Sequence, residues 1–318
     1  MVFMKYFSSF NGLVLLPWLL LTVLVAYVWA FEPFDWHAAW AQVKALPGLL
    51  WLELLAVFVL SYSARIARWA LFTHALGVQV QLWRNAVIYM AGFGMGLVLN
   101  KAGEAMRSLY LQPYGLHLAS GLSAFVVDRL LDVLVAGTMA VIGMALWSAP
   151  AEAAYAVTAV GLVGLMALRS RQVHRWIGRI PMGQLRRHQQ RFMRGLSTLL
   201  KTRTLAWGTL LTALVWCIQG SALAFSLNAM GSPQPWLIAV GVYCVGLFAS
   251  AAIPLPGGMG AAEAAITVVL IGLGVNPETA LVAAIVSRAV PQWTGMATGL
   301  AAMMLLGKPT HGLLRSSQ

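Results

Sequence analysis

Acidic and basic side chains that fall within apolar stretches are the residues of this sequence whose chemistry most needs explaining. If such a stretch crosses a membrane, each ionised group costs about 2.5–3.5 kcal/mol and persists only when paired or facing a wet cavity. Arginine offers phosphate a bidentate guanidinium, while a carboxylate can orient that arginine or exchange a proton. The pattern therefore predicts binding of an anionic lipid headgroup. The candidate binding residues are Glu104, Arg107, Asp128, Arg129, Glu263 and Arg288.

An internal repeat relates the charged residues of the two halves. With an offset of 159 residues, 115–129 aligns without gaps to 274–288, and Glu104 falls on Glu263. Repeated apolar composition alone would not readily place both the acid and the arginine on one offset. We therefore expect two equivalent halves in opposite orientations, each built from a span, a hairpin and a span.

Helical spacing predicts how these charges are presented. Glu104 and Arg107 are three residues apart and Asp128 and Asp132 are four apart, so each pair should share a helix face. Arg129 should point about 100° away from Asp128 and serve other partners. The alternative is that the charges form salt bridges that only hold the fold together. That alternative is favoured for Arg68, Asp132 and Glu53.

Composition indicates which elements must position these residues. Charged residues make up 9% of the chain and hydrophobic residues 60%, with a mean hydropathy of +0.78. A soluble domain has roughly 25% charged residues, so this chain could not cover a water-facing surface. We expect an all-α polytopic membrane protein with about six full transmembrane helices. The predicted spans are 12–31, 49–72, 118–147, 151–168, 205–230 and 280–306.

Two further apolar regions are expected to be re-entrant hairpins. Lysine and arginine bias places Arg84 and residues 169–203 on the cytoplasmic side. Two full spans between them already make a round trip, so residues 85–112 must enter from the cytoplasm and return. By the same parity, residues 236–273 enter from outside and return outside, which gives an inverted repeat. The predicted hairpin breaks are Gly103 in the first and Pro256, Gly257 and Gly258 in the second.

Charge also divides the chain into regions. Residues 1–168 form the first membrane half and residues 205–318 the second. Between them, residues 169–204 are expected to form basic cytoplasmic helices, since 169–203 contains ten basic residues and no acid. Apolar residues at helical spacing favour anionic lipid headgroups over nucleic acid as the partner. Both termini are expected in the cytoplasm, with the chain in a bacterial inner membrane.

Other chemistry finds little support in the sequence. Cys217 and Cys244 lie in apolar segments, and the six histidines are scattered, so no metal site is expected. The glycines at 257–260 lack a following Lys-Ser/Thr, which argues against a nucleotide site. No nucleophile–base pair is evident. We therefore expect no cofactor and no enzymatic activity.

Four motifs in order carry a family resemblance: NKAGEAMRSLYL, VVDRLLD, PLPGGMGAAEAAI and AIVSRAVPQWTG. Over residues 50–307 the chain resembles the lysylphosphatidylglycerol synthase transmembrane-region, or flippase-like, family. The resemblance implies a lipid-handling membrane module with two re-entrant regions. Asn100-Lys101 stands where family members often have a proline, so a less sharp turn is expected in the first hairpin. No aminoacyl-transfer domain follows in the sequence, so synthesis of lysyl-phosphatidylglycerol is not expected. The implied residues are Gly103, Glu104, Arg107, Asp128, Arg129, Pro256, Gly257, Gly258, Glu263 and Arg288.

These observations favour a flippase for an anionic phospholipid or a lipid-phosphate-linked substrate. The alternative is a non-transporting scaffold for a lipid- or glycan-modifying enzyme, docked through residues 169–203. An intramembrane enzyme is the weakest reading. Membrane lipids are the expected partners, and a homo-oligomer or a lipid-modifying enzyme partner is left open.

Overall fold

The computed structural model describes residues 35–99, 101–147, 186–252 and 260–306, and a few positions between 159 and 172. All regular elements within these residues are helices, as the composition predicts. The elements are α1 (Trp36–Ala45), α2 (Gly48–Ala75), α3 (Leu82–Leu99), α4 (Lys101–Ala105), α5 (Arg107–Tyr110), a 3-10 turn (Gln112–Tyr114), α6 (Leu118–Leu146), α7 (Arg186–Leu199), α8 (Thr202–Ala229), α9 (Trp236–Ala252), α10 (Ala261–Gly272) and α11 (Pro277–Leu306).

Helices α2 and α8, each of 28 residues, are the described helices that are long and apolar enough to cross a membrane. At 1.5 Å per residue each is about 42 Å long, against roughly 30 Å of hydrocarbon. Large apolar side chains such as Leu52 and Leu60 lie exposed on the outer face of α2. Helices α6 and α11, of 29 and 30 residues, are as long but carry charged side chains within them. The predicted count of six spans stays a prediction, because 12–31 and most of 151–168 lie outside the described residues.

The first predicted hairpin is a fold-back in which α4 and α5 return along α3. Gly92 of α3 permits the close approach, since a Cβ there would lie 3.1 Å from the Cβ of Arg107 and 3.5 Å from the carbonyl oxygen of Glu104. Gly103 is not itself an interruption: it is buried within α4, and its carbonyl accepts a hydrogen bond from the Met106 amide at 3.1 Å. The chain reverses before α4 begins at Lys101, and Met106 separates α4 from α5 within the returning arm. Asn100 lies outside the described residues.

The second predicted hairpin is the pair α9 and α10. A Cβ on Gly246 would lie 2.8 Å from Cδ1 of Ile266 and 3.2 Å from the carbonyl oxygen of Ala262, so the two helices pack closely. Helix α10 begins after Gly260, which has a φ of +87°, a conformation that favours glycine. The predicted breaks at Pro256, Gly257 and Gly258 lie outside the described residues. Re-entry of either fold-back into a membrane stays a prediction.

Helices from the two predicted halves interlock rather than pack separately. Helix α3 crosses α11 where a Cβ on Gly94 would meet the carbonyl carbon of Gly299 at 2.6 Å. Helix α6 crosses α9 in a similar way, where a Cβ on Gly143 would lie 2.7 Å from Cα of Gly241. Small residues at such crossings let helix backbones approach closely. The crossings therefore pack helices of one predicted half against helices of the other.

Candidate functional site

Asp128 on α6 is the centre of a buried network of charges. Its carboxylate is fully buried and lies 2.7 Å from Arg68, 3.0 Å from Arg107 and 2.6 Å from Arg129. Asp128 is delivered by α6, Arg68 by α2 and Arg107 by α5, so one carboxylate ties together three separate elements. Removing an ion from water is costly, and three guanidinium partners around one carboxylate offset that cost.

Asp132 extends the network by one turn of α6. Its carboxylate lies 2.8 Å from Arg68 and 3.0 Å from Arg129. Since Arg68 contacts both Asp128 and Asp132, the prediction that these aspartates share a face is confirmed. The prediction for Arg129 is wrong, because its guanidinium bends back to Asp128 at 2.6 Å. Its long side chain is flexible enough to cross the 100° offset and reach both aspartates.

Glu104 and Arg107 both join this network but serve different partners. Glu104 lies 3.6 Å from Arg129, while Arg107 binds Asp128. Both partners lie on α6, so Glu104 and Arg107 face the same neighbouring helix, as their three-residue spacing predicts. The Arg107 guanidinium carbon also lies 3.8 Å from the ring centroid of Trp69 and 4.7 Å from that of Tyr89. These aromatic faces supply cation–π attraction in a desolvated setting.

The second half has a simpler charged pair. Nε of Arg288 on α11 donates to Glu263 Oε1 at 2.8 Å, and its Nη2 donates to Gln292 at 3.2 Å. The other oxygen of Glu263 accepts the Gly260 amide at 2.6 Å and so caps the start of α10. The Arg288 guanidinium carbon lies 5.9 Å from the Tyr243 ring centroid. Glu263 therefore fixes the first turn of α10 and orients Arg288 at the same time.

The internal repeat is thus realised as two equivalent ion pairs. Glu104 pairs with Arg129 and Glu263 pairs with Arg288, 25 residues apart in each case. In both halves the glutamate lies on the returning arm of a fold-back and the arginine on the long helix that follows. Similar apolar composition alone would not place a glutamate–arginine contact at equivalent positions of both halves.

Arg65 is a member of the site that is not among the six candidate binding residues. It is 5% exposed, donates to Gln219 at 2.9 Å, and lies 5.0 Å from the Trp216 ring centroid. Its nearest described carboxylate oxygen is that of Asp132, at 4.0 Å. In the sequence Arg65 lies in the later part of the predicted span 49–72. The available signal was its three-residue spacing from Arg68, which, like the four-residue spacing of the two aspartates, puts both residues on one helix face.

Arg65 also changes the charge balance of the first network. Four arginines face three carboxylates in the first network, so its described members carry one excess positive charge. Such a charge in a low-dielectric core favours a bound anion. The members are Arg65, Arg68, Arg107, Arg129, Glu104, Asp128 and Asp132.

Comparison with known proteins identifies a family for the chain. No curated protein matches the chain at a significant level. The sequence profile described as Lysylphosphatidylglycerol synthase TM region matches residues 12–299, which include both fold-backs and both ion pairs. The resemblance seen in the four motifs is therefore confirmed, and the chain belongs to the family of the lysylphosphatidylglycerol synthase TM region.

Proposed function

We propose that this protein is a lipid flippase that moves an anionic phospholipid, or a lipid-phosphate-linked substrate, across the bacterial inner membrane. The observation that carries the proposal is the pair of equivalent ion pairs, Glu104–Arg129 and Glu263–Arg288, one beside each fold-back. Membership of a lipid-related membrane family supports it. The excess positive charge near Arg65 gives the site its preference for an anion.

In this proposal the fold-backs are oppositely oriented re-entrant hairpins within a multi-pass protein of about six full spans. One hairpin opens to the cytoplasm, where both termini lie, and the other opens outward. The headgroup phosphate competes with Glu104 for Arg129 on one side and with Glu263 for Arg288 on the other. The acyl chains remain in lipid throughout. No bond is made or broken, so the energy comes from an ion gradient or from consumption of the lipid after transport.

Transport in proteoliposomes tests the proposal. Fluorescent phosphatidylglycerol and an uncharged diacylglycerol analogue are compared in vesicles that contain purified protein. A hydrogen bond to a charged group contributes about 1.5–3 kcal/mol, so Arg288→Ala should slow transport of the anionic lipid roughly tenfold or more. Glu104→Ala should also slow it. Arg203→Ala, which removes an exposed arginine at the start of α8, is the matched control and should leave the rate unchanged. Unchanged rates in both site variants would contradict the proposal.

The exposed basic face of α7 favours one second candidate, a scaffold that docks a lipid- or glycan-modifying enzyme. Helix α7 buries Gly195, Leu196 and Leu199 against the bundle and leaves Arg187 and Arg194 exposed. If docking is the function, Arg187→Glu combined with Arg194→Glu should abolish it in cells without changing transport in proteoliposomes. If transport is the function, the site variants should have the larger effect in both settings.

A further inference from the structure

The net charge of the first network sets how much negative charge a ligand can bring to it. Its four arginines and three carboxylates sum to one positive charge, and the pair Glu263–Arg288 adds one charge of each sign. Within the described part of the chain, the buried ion pairs therefore carry a single excess positive charge. Charges in a low-dielectric core are weakly screened, so this sum acts on a bound ion together with the nearest contact.

Arg129 is the member of the network that an anion from outside can reach. Its side chain is 28% exposed, against 15% for Glu104 and 6% or less for the other five members. Two turns earlier on the same face of α6, Leu122 is 37% exposed, and the Phe125 ring centroid lies 5.8 Å from the Arg129 guanidinium carbon. A headgroup at Arg129 leaves its acyl chains beside these apolar side chains, which favours a lipid over a free anion.

We propose that the site takes a lipid headgroup with one negative charge, a phosphodiester, in preference to a headgroup with two, such as a phosphomonoester. The inference rests on the proposed function, because it takes the network as the headgroup site. A monoanion brings the net charge of the core to zero, whereas a dianion leaves an unpaired negative charge there, which is costly. A zwitterionic headgroup leaves the excess positive charge in place.

Arg65 is a specificity-determining residue in this scheme. It is 5% exposed, so it acts on the headgroup through its charge and not by contact. Its hydrogen bond goes to the neutral side chain of Gln219 at 2.9 Å, and its nearest described carboxylate oxygen, on Asp132, is 4.0 Å away. Asp132 in turn contacts Arg129 at 3.0 Å. The charge of Arg65 is therefore one carboxylate away from the arginine that an anion can reach.

Native mass spectrometry of the full chain from phosphatidylcholine nanodiscs measures the preference. Equal small amounts of phosphatidylglycerol, a phosphodiester, and phosphatidic acid, a phosphomonoester, are added at about pH 8, and the retained lipid is counted. Phosphatidylglycerol should be retained roughly tenfold over phosphatidic acid, the size expected for one unpaired charge at an effective dielectric constant of about 20.

A pH series on the unaltered protein separates headgroup charge from headgroup shape. A phosphomonoester loses its second proton near pH ~6, so at about pH 5 phosphatidic acid becomes a monoanion and the preference should shrink to about twofold or less. Phosphatidylglycerol keeps its single charge over this range. No histidine is among the members of the network, so its described side chains do not supply a titration of their own there.

Two charge variants and a matched control complete the test. Glu104→Gln adds one positive charge to the sum and should lower the ratio of phosphatidylglycerol to phosphatidic acid roughly tenfold. Arg65→Gln brings the sum to zero and should remove the enrichment of both anionic lipids over phosphatidylcholine. Glu53→Gln removes the same charge as Glu104→Gln from α2, outside the network, and should leave the ratio unchanged.

A ratio that is unchanged in Glu104→Gln, or a preference that persists at about pH 5, overturns the proposal. Both measurements decide the question even if Arg65→Gln does not fold. Retention is measured without transport, so this proposal and the proposed function can fail separately. Dimethyl phosphate, a soluble phosphodiester, should not displace phosphatidylglycerol at equal concentration. Displacement would identify a free anion as the ligand and would also overturn the proposal.

Discussion

The two halves of the protein hold equivalent Glu–Arg pairs in different surroundings. In the first half Arg129 is shared among Asp128 at 2.6 Å, Asp132 at 3.0 Å and Glu104 at 3.6 Å. In the second half Arg288 has one described carboxylate partner, Glu263, at 2.8 Å. The Arg129 side chain is 28% exposed and that of Arg288 is 8% exposed.

The repeat therefore preserves the glutamate–arginine pair but not the number of carboxylate partners that each arginine has. Glu104 can leave Arg129 without stranding a buried charge, because two aspartates remain. Glu263 cannot leave Arg288 without doing so, and it also caps α10. Loss of the glutamate should therefore lower the stability of the second half more than that of the first, because Arg129 keeps two other carboxylate partners.

Asp128→Asn should have the largest effect on stability. It leaves Arg68, Arg107 and Arg129 without the carboxylate at their centre, and breaking a buried ion pair costs about 3–5 kcal/mol. The free energy of unfolding in detergent is the measurement. Asp132→Asn, which removes two close arginine contacts rather than three, should cost less. An Asp132 effect equal to or above that of Asp128 would show that Asp128 is not the centre of the network.

Glu263→Gln should destabilise the protein by about 2–3 kcal/mol. It leaves the Arg288 charge buried with neutral partners and weakens the cap of α10, and unsatisfied charged groups cost more than neutral ones. Thermal unfolding of the purified protein is the measurement. Adding Arg288→Gln should recover part of the loss, because no unpaired charge then remains. No recovery in the double variant would mean that capping, rather than pairing, is the main role of Glu263.

Gly246→Ala should cost about 1–2 kcal/mol, whereas Gly92→Ala should be nearly neutral. The new Cβ at 246 would meet Ile266 side-chain atoms at 2.8 Å, while at 92 its closest contact would be 3.1 Å from the Cβ of Arg107. Overpacking costs about 1–3 kcal/mol, and alanine regains up to roughly 1 kcal/mol of helix propensity. Unfolding curves of the two variants, measured side by side, test the comparison. The reverse order would indicate that the first fold-back is the more tightly packed.

Glu104→Gln should cost less than about 1 kcal/mol, because Arg129 keeps both aspartates and the pair is partly exposed. Double-mutant cycles in the free energy of unfolding measure the coupling energy within each glutamate–arginine pair. The coupling between Glu104 and Arg129 should be smaller than the coupling between Glu263 and Arg288. Equal coupling energies would show that the two pairs are energetically as well as positionally equivalent.

Much of the site could be predicted from the sequence, and the omissions have a common cause. The repeat predicted Glu104, Arg129, Glu263 and Arg288 as site residues, because ionisable residues are rare in apolar stretches and their common offset can be recognised in the sequence. Arg65 was not among the candidate binding residues, because its position near the end of a predicted span suggested the cytoplasmic side. The separation of α4 from α5 at Met106 was not predicted, because helix ends depend on packing as well as on residue type.

Composition and spacing are local properties, so they are enough to predict a helical, apolar chain in which matching acids and arginines recur at one offset. The position of Asp128 at the centre of the network depends on contacts between distant segments, since Arg68, 64 residues before Asp132, reaches both aspartates. Which charges meet depends on the rotation and depth of each helix against its neighbours. Those quantities are set by packing, as at the crossing of Gly143 and Gly241, and no local pattern encodes them.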